Sequence, residues 1–236
     1  MPSRNRRRWL RWVIGVAVAV VVLAIGVPFV FFHFVEGSTP AKLSLSASPT
    51  PASGTGSAVA AATEAGTWRV GSGSQVGYRV QEILAGQSHT AVGRSSSVTG
   101  QLVIAGTTVK TATFTVQMST IHTDSSQRDA QFDGRIMDVA TYPSGTFTLT
   151  RAIDLAPLPA VGAVGTYAAA GNLTLHGQTR PVTFSLQAER TASGIEVAGS
   201  IPVLFSRWDI PNPSFTGFVT TQNHGILEFK LSFRSA

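Results

Sequence analysis

From Thr67 to Ala236 apolar and polar residues alternate with a period of two, and no other feature restricts the possible folds as strongly. Trp68, Val70, Val76, Tyr78 and Val80 begin the pattern. Leu102/Ile104, Phe114/Val116/Met118, Phe147/Leu149, Leu173/Leu175, Val182/Phe184/Leu186, Ile195/Val197 with Ile201/Val203, and Leu227/Phe229/Leu231/Phe233 continue it. Thr, Gln, Ser, Arg, Lys and Glu occupy the intervening positions. An amphipathic helix would repeat every 3.6 residues, whereas one dry and one wet face at period two is the mark of antiparallel strands. Gly106-Thr107-Thr108, His176-Gly177-Gln178 and Ala192-Ser193-Gly194 read as tight connections between neighbours.

About eight such strands follow one another, and a single twisted sheet of that size curls. Closing it removes two exposed edges, so the sequence predicts an all-β domain, an eight-stranded antiparallel lipocalin-like barrel with its apolar face inward. The pattern breaks once, at Arg128 to Asp138, where Phe132 and Ile136 follow helical spacing. One short helix is expected there, between the third and fourth strands.

The residues before this domain obey different rules. Arg4, Arg6, Arg7, Arg8 and Arg11 precede an uncharged apolar run, Val13 to Phe32, with Trp9 and Trp12 at its start. Twenty residues at about 1.5 Å each span the roughly 30 Å of a bilayer's hydrocarbon core. The positive-inside rule then places residues 1–12 in the cytoplasm, a single-pass transmembrane helix at 13–34, and the rest outside. The competing reading is a cleaved signal peptide and a secreted product; the apolar run is long for that, with no small-residue cleavage site after it. Residues 35–66 form a linker: from Gly37 to Gly66, 25 of 30 residues are Gly, Ser, Thr, Pro or Ala. Such a composition buries too little apolar surface to offset its ordering entropy and reads as a flexible tether to the domain at 67–236.

The net charge of +6 suggests an acidic partner at first sight. From Thr67 onward, however, twelve Lys/Arg face ten Asp/Glu, so the excess serves membrane orientation and nucleic acid is excluded as a partner. There is no cysteine, hence no disulfide framework and no lipid-modified N-terminal Cys. His89, His122, His176 and His224 fall in separate segments without ligand spacing, and no nucleophile elbow, phosphate loop or dinucleotide motif occurs. No metal, cofactor or enzymatic activity is therefore expected. Arg128, Asp129, Asp133, Arg135 and Asp138 form the densest charge cluster of the domain, either a solvated helix face or a polar rim at a barrel mouth. An eight-stranded barrel is either filled by its own side chains or open to one slender ligand. The small residues between the large ones, clearest at Ala168-Ala169-Ala170-Gly171, are the argument for an opening.

The segment Gly171-Asn172-Leu173-Thr174-Leu175-His176-Gly177-Gln178-Thr179-Arg180-Pro181-Val182 resembles the strand–turn–strand signature of the YceI-like family of polyisoprenoid-binding, lipocalin-like proteins. Arg128-Asp129 followed by Phe132, Asp138, Tyr142-Pro143 and Phe147 resembles a second family motif, and His224-Gly225-Ile226-Leu227-Glu228-Phe229 a third. Ile201-Pro202-Val203-Leu204-Phe205 and Ile210-Pro211-Asn212-Pro213-Ser214 are similar to the actinobacterial form of the family. The chain departs from the family at Gln131-Phe132, where a His and Leu are frequent, and at Gly71 and Gly73-Ser74, where an Asp and His are. These departures bear on head-group contacts and not on the fold.

The resemblance implies an extended antiparallel barrel that holds a long isoprenoid chain in an apolar tunnel, in a non-enzymatic, extracytoplasmic binding protein whose ligand is an apolar isoprenoid lipid or an isoprenoid quinone. Tyr78, Phe114, Val116, Phe147, Leu173, Leu175, Phe184, Leu186, Phe229 and Leu231 are then the expected lining, with Arg128, Asp129 and Trp208 at the mouth. Two other readings stay open at this point. One is a filled interaction barrel that uses its exterior or the Ile210 to Gly217 loop; the other is a lipid-modifying enzyme with His176 or His224 as base. The oligomeric state, dimer included, is left open.

Overall fold

Strand β12 (His224–Ser235) pairs along its length with three other strands, and this closes the sheet. The computed structural model describes residues 20, 39–45, 65–84, 86–215 and 219–236. In chain order the elements are β1 (Gly66–Val70), β2 (Gln75–Leu84), β3 (Gln87–Ser95), β4 (Val98–Ala105), β5 (Thr108–Gln117), helix α1 (Ser126–Gln131), β6 (Ser144–Leu149), β7 (Ile153–Asp154), β8 (Val164–Leu175), β9 (Gln178–Thr191), β10 (Gly194–Leu204), β11 (Val219–Thr221) and β12. The ring runs β1-β4-β5-β6-β8-β9-β10-β12, and β12 returns to β1 through Trp68↔Ser235 and Val70↔Phe233. Farther along, β12 pairs with β2 through Ile226↔Arg79 to Lys230↔Gln75, and β2 pairs with β3. Thus β1/β2 and β3/β4 are each one strand broken by a bend, and the barrel has eight staves, all antiparallel.

The first bend shows how the sequence makes a corner. At Gly71 to Ser74 the ladder with β12 is interrupted, and the Ser74 hydroxyl takes over for the backbone. Its Oγ accepts from Ser232 N–H at 2.9 Å and donates to Gly71 O at 2.8 Å. Ser74 is buried, so without these bonds the corner would leave polar backbone groups unsatisfied in a dry place. The three predicted tight turns are all two-residue hairpins: Gly106–Thr107, His176–Gly177 and Ala192–Ser193. His176 and Gly177 have φ of 47° and 71°, the pair of left-handed residues that matches the twist of the flanking strands.

Strand β3 is absent from the sequence-based expectation because Gln-Ser-His-Thr-Ala-Val-Gly-Arg-Ser carries almost no alternation. Its register is imposed by β2, to which it pairs from Val76↔Ser95 to Leu84↔Gln87. The expected helix is present as α1, capped by the Ser125 hydroxyl, and runs on into one wide π-type turn at Phe132–Ile136. Phe132 drops from that turn into the barrel end and stacks on Tyr78 at 5.2 Å.

Two hydrophobic clusters make up the interior. One, at the α1 end, contains Met118, Ile121, Phe132, Leu173, Phe205 and Trp208; the other contains Val98, Leu102, Ile104, Val109, Ile195 and Phe233. Val116, Leu149, Ile153 and Phe229 pack against both.

The expected membrane helix at 13–34 lies outside the described residues apart from Val20. Among the described residues no helix is long and apolar enough to cross a membrane. Most of the linker 35–66 also lies outside them, but Pro40 to Leu45 is described, and this part is packed against the barrel. The Arg79 guanidinium donates to Pro40 O at 2.7 Å, Arg94 donates to Ala41 O at 3.4 Å, and Leu45 is buried. Beneath this strap Glu228 points out of the barrel yet is only 3% exposed, held by Arg79 at 2.9 Å and by a short bond from Arg94. The low-complexity composition of the linker conceals Leu43 and Leu45, two apolar side chains at period two.

Candidate binding cavity

Inward-facing residues of the staves leave two adjoining apolar chambers. The larger is about 200 Å³ and the smaller, toward α1, about 110 Å³. Both are walled by Met118, Ile121, Leu175 and Leu227, which form the neck between them. Of the residues expected to line the interior, Phe114, Val116, Phe147, Leu173, Leu175, Phe184, Leu186, Phe229 and Leu231 all line the larger chamber, and Tyr78 lines the smaller. Period-two parity suffices for this, because residues i, i+2 and i+4 of one strand share a face.

The phenylalanines form a connected wall. Ring centroids of Phe114 and Phe147 lie 6.5 Å apart, Phe147 and Phe184 5.5 Å, Phe184 and Phe229 5.8 Å, and Phe114 and Phe233 5.7 Å. Some of the small residues thought to leave space instead seat these rings. A Cβ on Gly171 would sit 2.3 Å from the Phe147 ring, and one on Gly199 2.6 Å from Phe229. Ala169, in contrast, borders the open chamber and is buried.

Of the three residues expected at the mouth, Arg128 alone borders a chamber. Arg128 lines the smaller chamber and donates to Glu82 Oε1 at 3.3 Å and to Asp124. Burial works to lower its pKa, but the carboxylates of Glu82 and Asp124 outweigh burial and raise it above the ordinary value. Asp129 lines neither chamber; its carboxylate caps the Thr123 N–H at 2.8 Å, accepts from the Thr123 hydroxyl at 2.7 Å and lies 3.3 Å from His122 Nδ1.

Trp208 is a correction. It is fully buried, lines neither chamber, and donates from its indole N–H to Leu173 O at 3.2 Å. The chain after β10 makes a 3₁₀ turn, Phe205–Trp208, and reverses at Asp209 in the left-handed region, φ 53°. That reversal drives the indole inward as part of the end plug, while Arg207 covers its outer face at 5.2 Å.

Sequence reasoning missed Glu82, Thr221 and, of the neck, Met118, Ile121 and Leu227. Glu82 has the same parity as Tyr78 and Val80, so an acidic residue on the dry face was a usable signal. It lies 3.2 Å from His89 Nδ1 and opposite Thr221 in the β2–β11 register, and both Glu82 and Thr221 line the smaller chamber. The Thr221 hydroxyl is buried without a hydrogen-bond partner. Ile121 escaped notice because it lies in the connection after β5, outside the alternation. Burial raises the Tyr78 phenol well above its ordinary value, against the opposing pull of Arg128, so it stays neutral.

The histidines proposed as bases line neither chamber. His176 lies with Nδ1 3.3 Å from Trp208 O and its ring 4.6 Å from Tyr142, and His224 opens β12 on the exposed side. Among the described residues no group of three His, Cys, Asp or Glu is placed to hold a metal.

Comparison with known proteins agrees with this architecture. A solved polyisoprenoid-binding domain from Saccharophagus degradans, implicated in plant cell wall breakdown, superposes with a TM-score of 0.60 at 16% identity, covering 73% of this chain and 99% of that one. BcnA of Burkholderia cenocepacia superposes with a TM-score of 0.50 at 20% identity, covering 65% and 94%. At these identities the likeness concerns the fold. No curated protein matches the chain. The model of the YceI-like domain matches residues 68–233, which span the whole barrel from β1 to β12. The chain belongs to the YceI-like family.

Proposed function

We propose that this protein is a membrane-tethered, extracytoplasmic binding protein that holds an apolar isoprenoid lipid inside its barrel. The observation that carries the reading is the pair of apolar chambers left open within the two hydrophobic clusters that wall them. Interiors normally pack at crystal-like density, and apolar space of this size loses contact energy unless something fills it. Burial of a hydrocarbon chain contributes about 0.8 kcal/mol per CH₂, so affinity needs few polar contacts. The polyisoprenoid-binding domain of similar fold supports a chain of this class as occupant.

Binding is non-covalent, and the barrel acts as carrier, store or scavenger. The N-terminal helix keeps it at the outer face of the cytoplasmic membrane, where such lipids reside. Arg128, with its charge already matched by Glu82 and Asp124, orients the polar end of the ligand at the α1 end.

The full chain, extracted from membranes and washed, is expected to carry a stoichiometric apolar lipid, identified by organic extraction and mass spectrometry. Preparations that are consistently empty, with chambers closed by their own side chains, would refute the reading. Arg128→Gln is expected to leave apolar binding within about threefold while altering the order of preference among head groups, since one hydrogen bond is worth about 1 kcal/mol.

A further inference from the structure

The two chambers have definite sizes, and the smaller has a definite polarity. A protein cavity of about 150 Å³ takes up benzene, which corresponds to about 25 Å³ per carbon. On that scale the chamber of about 200 Å³ holds about eight carbons and that of about 110 Å³ about four. The far end of the larger chamber is walled by Leu102, Ile104, Ile195 and Phe233, all buried. A chain longer than the chambers can extend only by displacing those side chains.

The smaller chamber holds the polar groups that face the interior at this end: Glu82, Arg128 and Thr221, with the neutral Tyr78. Arg128 is bonded to two carboxylates, Glu82 and Asp124, so no surplus positive charge is offered to an anionic head. Thr221 is the exception to the pairing. It is 7% exposed, and its hydroxyl, buried and without a partner, is a standing cost in the empty protein. A ligand atom that exchanges a hydrogen bond with it removes that cost.

We propose that the ligand is a short prenyl chain of two to three isoprene units ending in a small neutral oxygen group, its chain running from the larger chamber through the neck into the smaller and its oxygen there against the Thr221 hydroxyl. This rests on the lipid-binding reading above and narrows it to a chain length and a head-group charge. Selection against longer chains comes from the Leu102–Phe233 wall, and selection against phosphates from Glu82 and Asp124.

The test uses the full chain in detergent micelles and native mass spectrometry, which reads the mass of whatever is bound. Linear prenyl alcohols of two, three, four and six isoprene units are offered in competition, with the three-unit diphosphate and the three-unit hydrocarbon lacking oxygen. The two- and three-unit alcohols are expected to dominate. The six-unit alcohol and the diphosphate should each fall at least about tenfold below them, a tenfold ratio being about 1.4 kcal/mol.

Thr221→Val is expected to weaken the three-unit alcohol about tenfold and to leave the hydrocarbon unchanged, with a melting temperature equal to or above that of the parent. Phe184→Ala, which enlarges the larger chamber, should move the optimum to four units. A preference that rises steadily to six units overturns the length assignment, and tighter diphosphate binding overturns the head-group assignment, while both leave the lipid-binding reading in place. Failure to bind any prenyl compound refutes that reading itself.

Discussion

Ala169→Phe is expected to abolish lipid binding, by a factor of a hundred or more, while leaving the protein folded. Ala169 is 2% exposed, borders the larger chamber and lies opposite Phe184 in the β8–β9 register. The substitution adds a phenyl ring on the dry side of the wall, and a ring needs about 150 Å³ of the roughly 200 Å³ present. Adding bulk to a well-packed core costs about 1–3 kcal/mol through forced rotamers and backbone shifts. Here the ring enters existing space and replaces missing dispersion contacts, so the melting temperature should hold or rise. The two measurements together, retained melting and lost lipid, separate a filled cavity from a broken fold. Unimpaired lipid uptake by the variant would show that the ligand lies elsewhere.

Removal of Glu228 should produce the largest loss of stability. Glu228 is 3% exposed on the outer wall, accepting from Arg79 and Arg94, whose side chains are 11% and 17% exposed. Glu228→Ala leaves two half-buried guanidinium groups without their carboxylate, and breaking such a pair costs about 3–5 kcal/mol. In a barrel of this size that corresponds to a drop in melting temperature of about 10 °C. Arg79 and Arg94 also hold the carbonyls of Pro40 and Ala41, so the strap should loosen with them. Faster trypsin cleavage after Lys42, relative to cleavage elsewhere, reads that second effect. Glu228→Gln, which keeps an acceptor oxygen but not the charge, should fall between. A melting temperature within a degree or two of the parent for Glu228→Ala would mean that the triad is a solvated surface pair.

The strap also bears on how far the barrel is free of what precedes it. Composition from Gly37 to Gly66 led to the expectation of a continuous tether, because Ser, Gly, Thr, Pro and Ala dominate it. Leu43 and Leu45 find a place on the wall only because β2, β3 and β12 bring Arg79, Arg94 and Glu228 together there. Those residues lie far apart in sequence, and no local pattern joins them to residue 40.

The fold itself was legible from local chemistry. Period-two alternation assigned the faces of the strands that carry it, β3 excepted, and the His176-Gly177 pair marked a hairpin. The helix after Ser125 announced itself as the one break in the alternation. For the same reason nine expected lining residues fall in one chamber: strand parity is a property of consecutive residues, and closure of the sheet turns one parity inward. What parity cannot express is volume. Whether a barrel is open depends on the difference between the space enclosed by eight staves and the bulk of side chains that meet from distant strands. Only the tertiary structure decided that Phe147 lies over Gly171 and Phe229 over Gly199 while the space beside Ala169 stays empty. It also turned Trp208 into a plug, buried Glu228 under the strap and left the Thr221 hydroxyl alone in a dry chamber, since each of these is a contact between segments that the chain itself keeps apart.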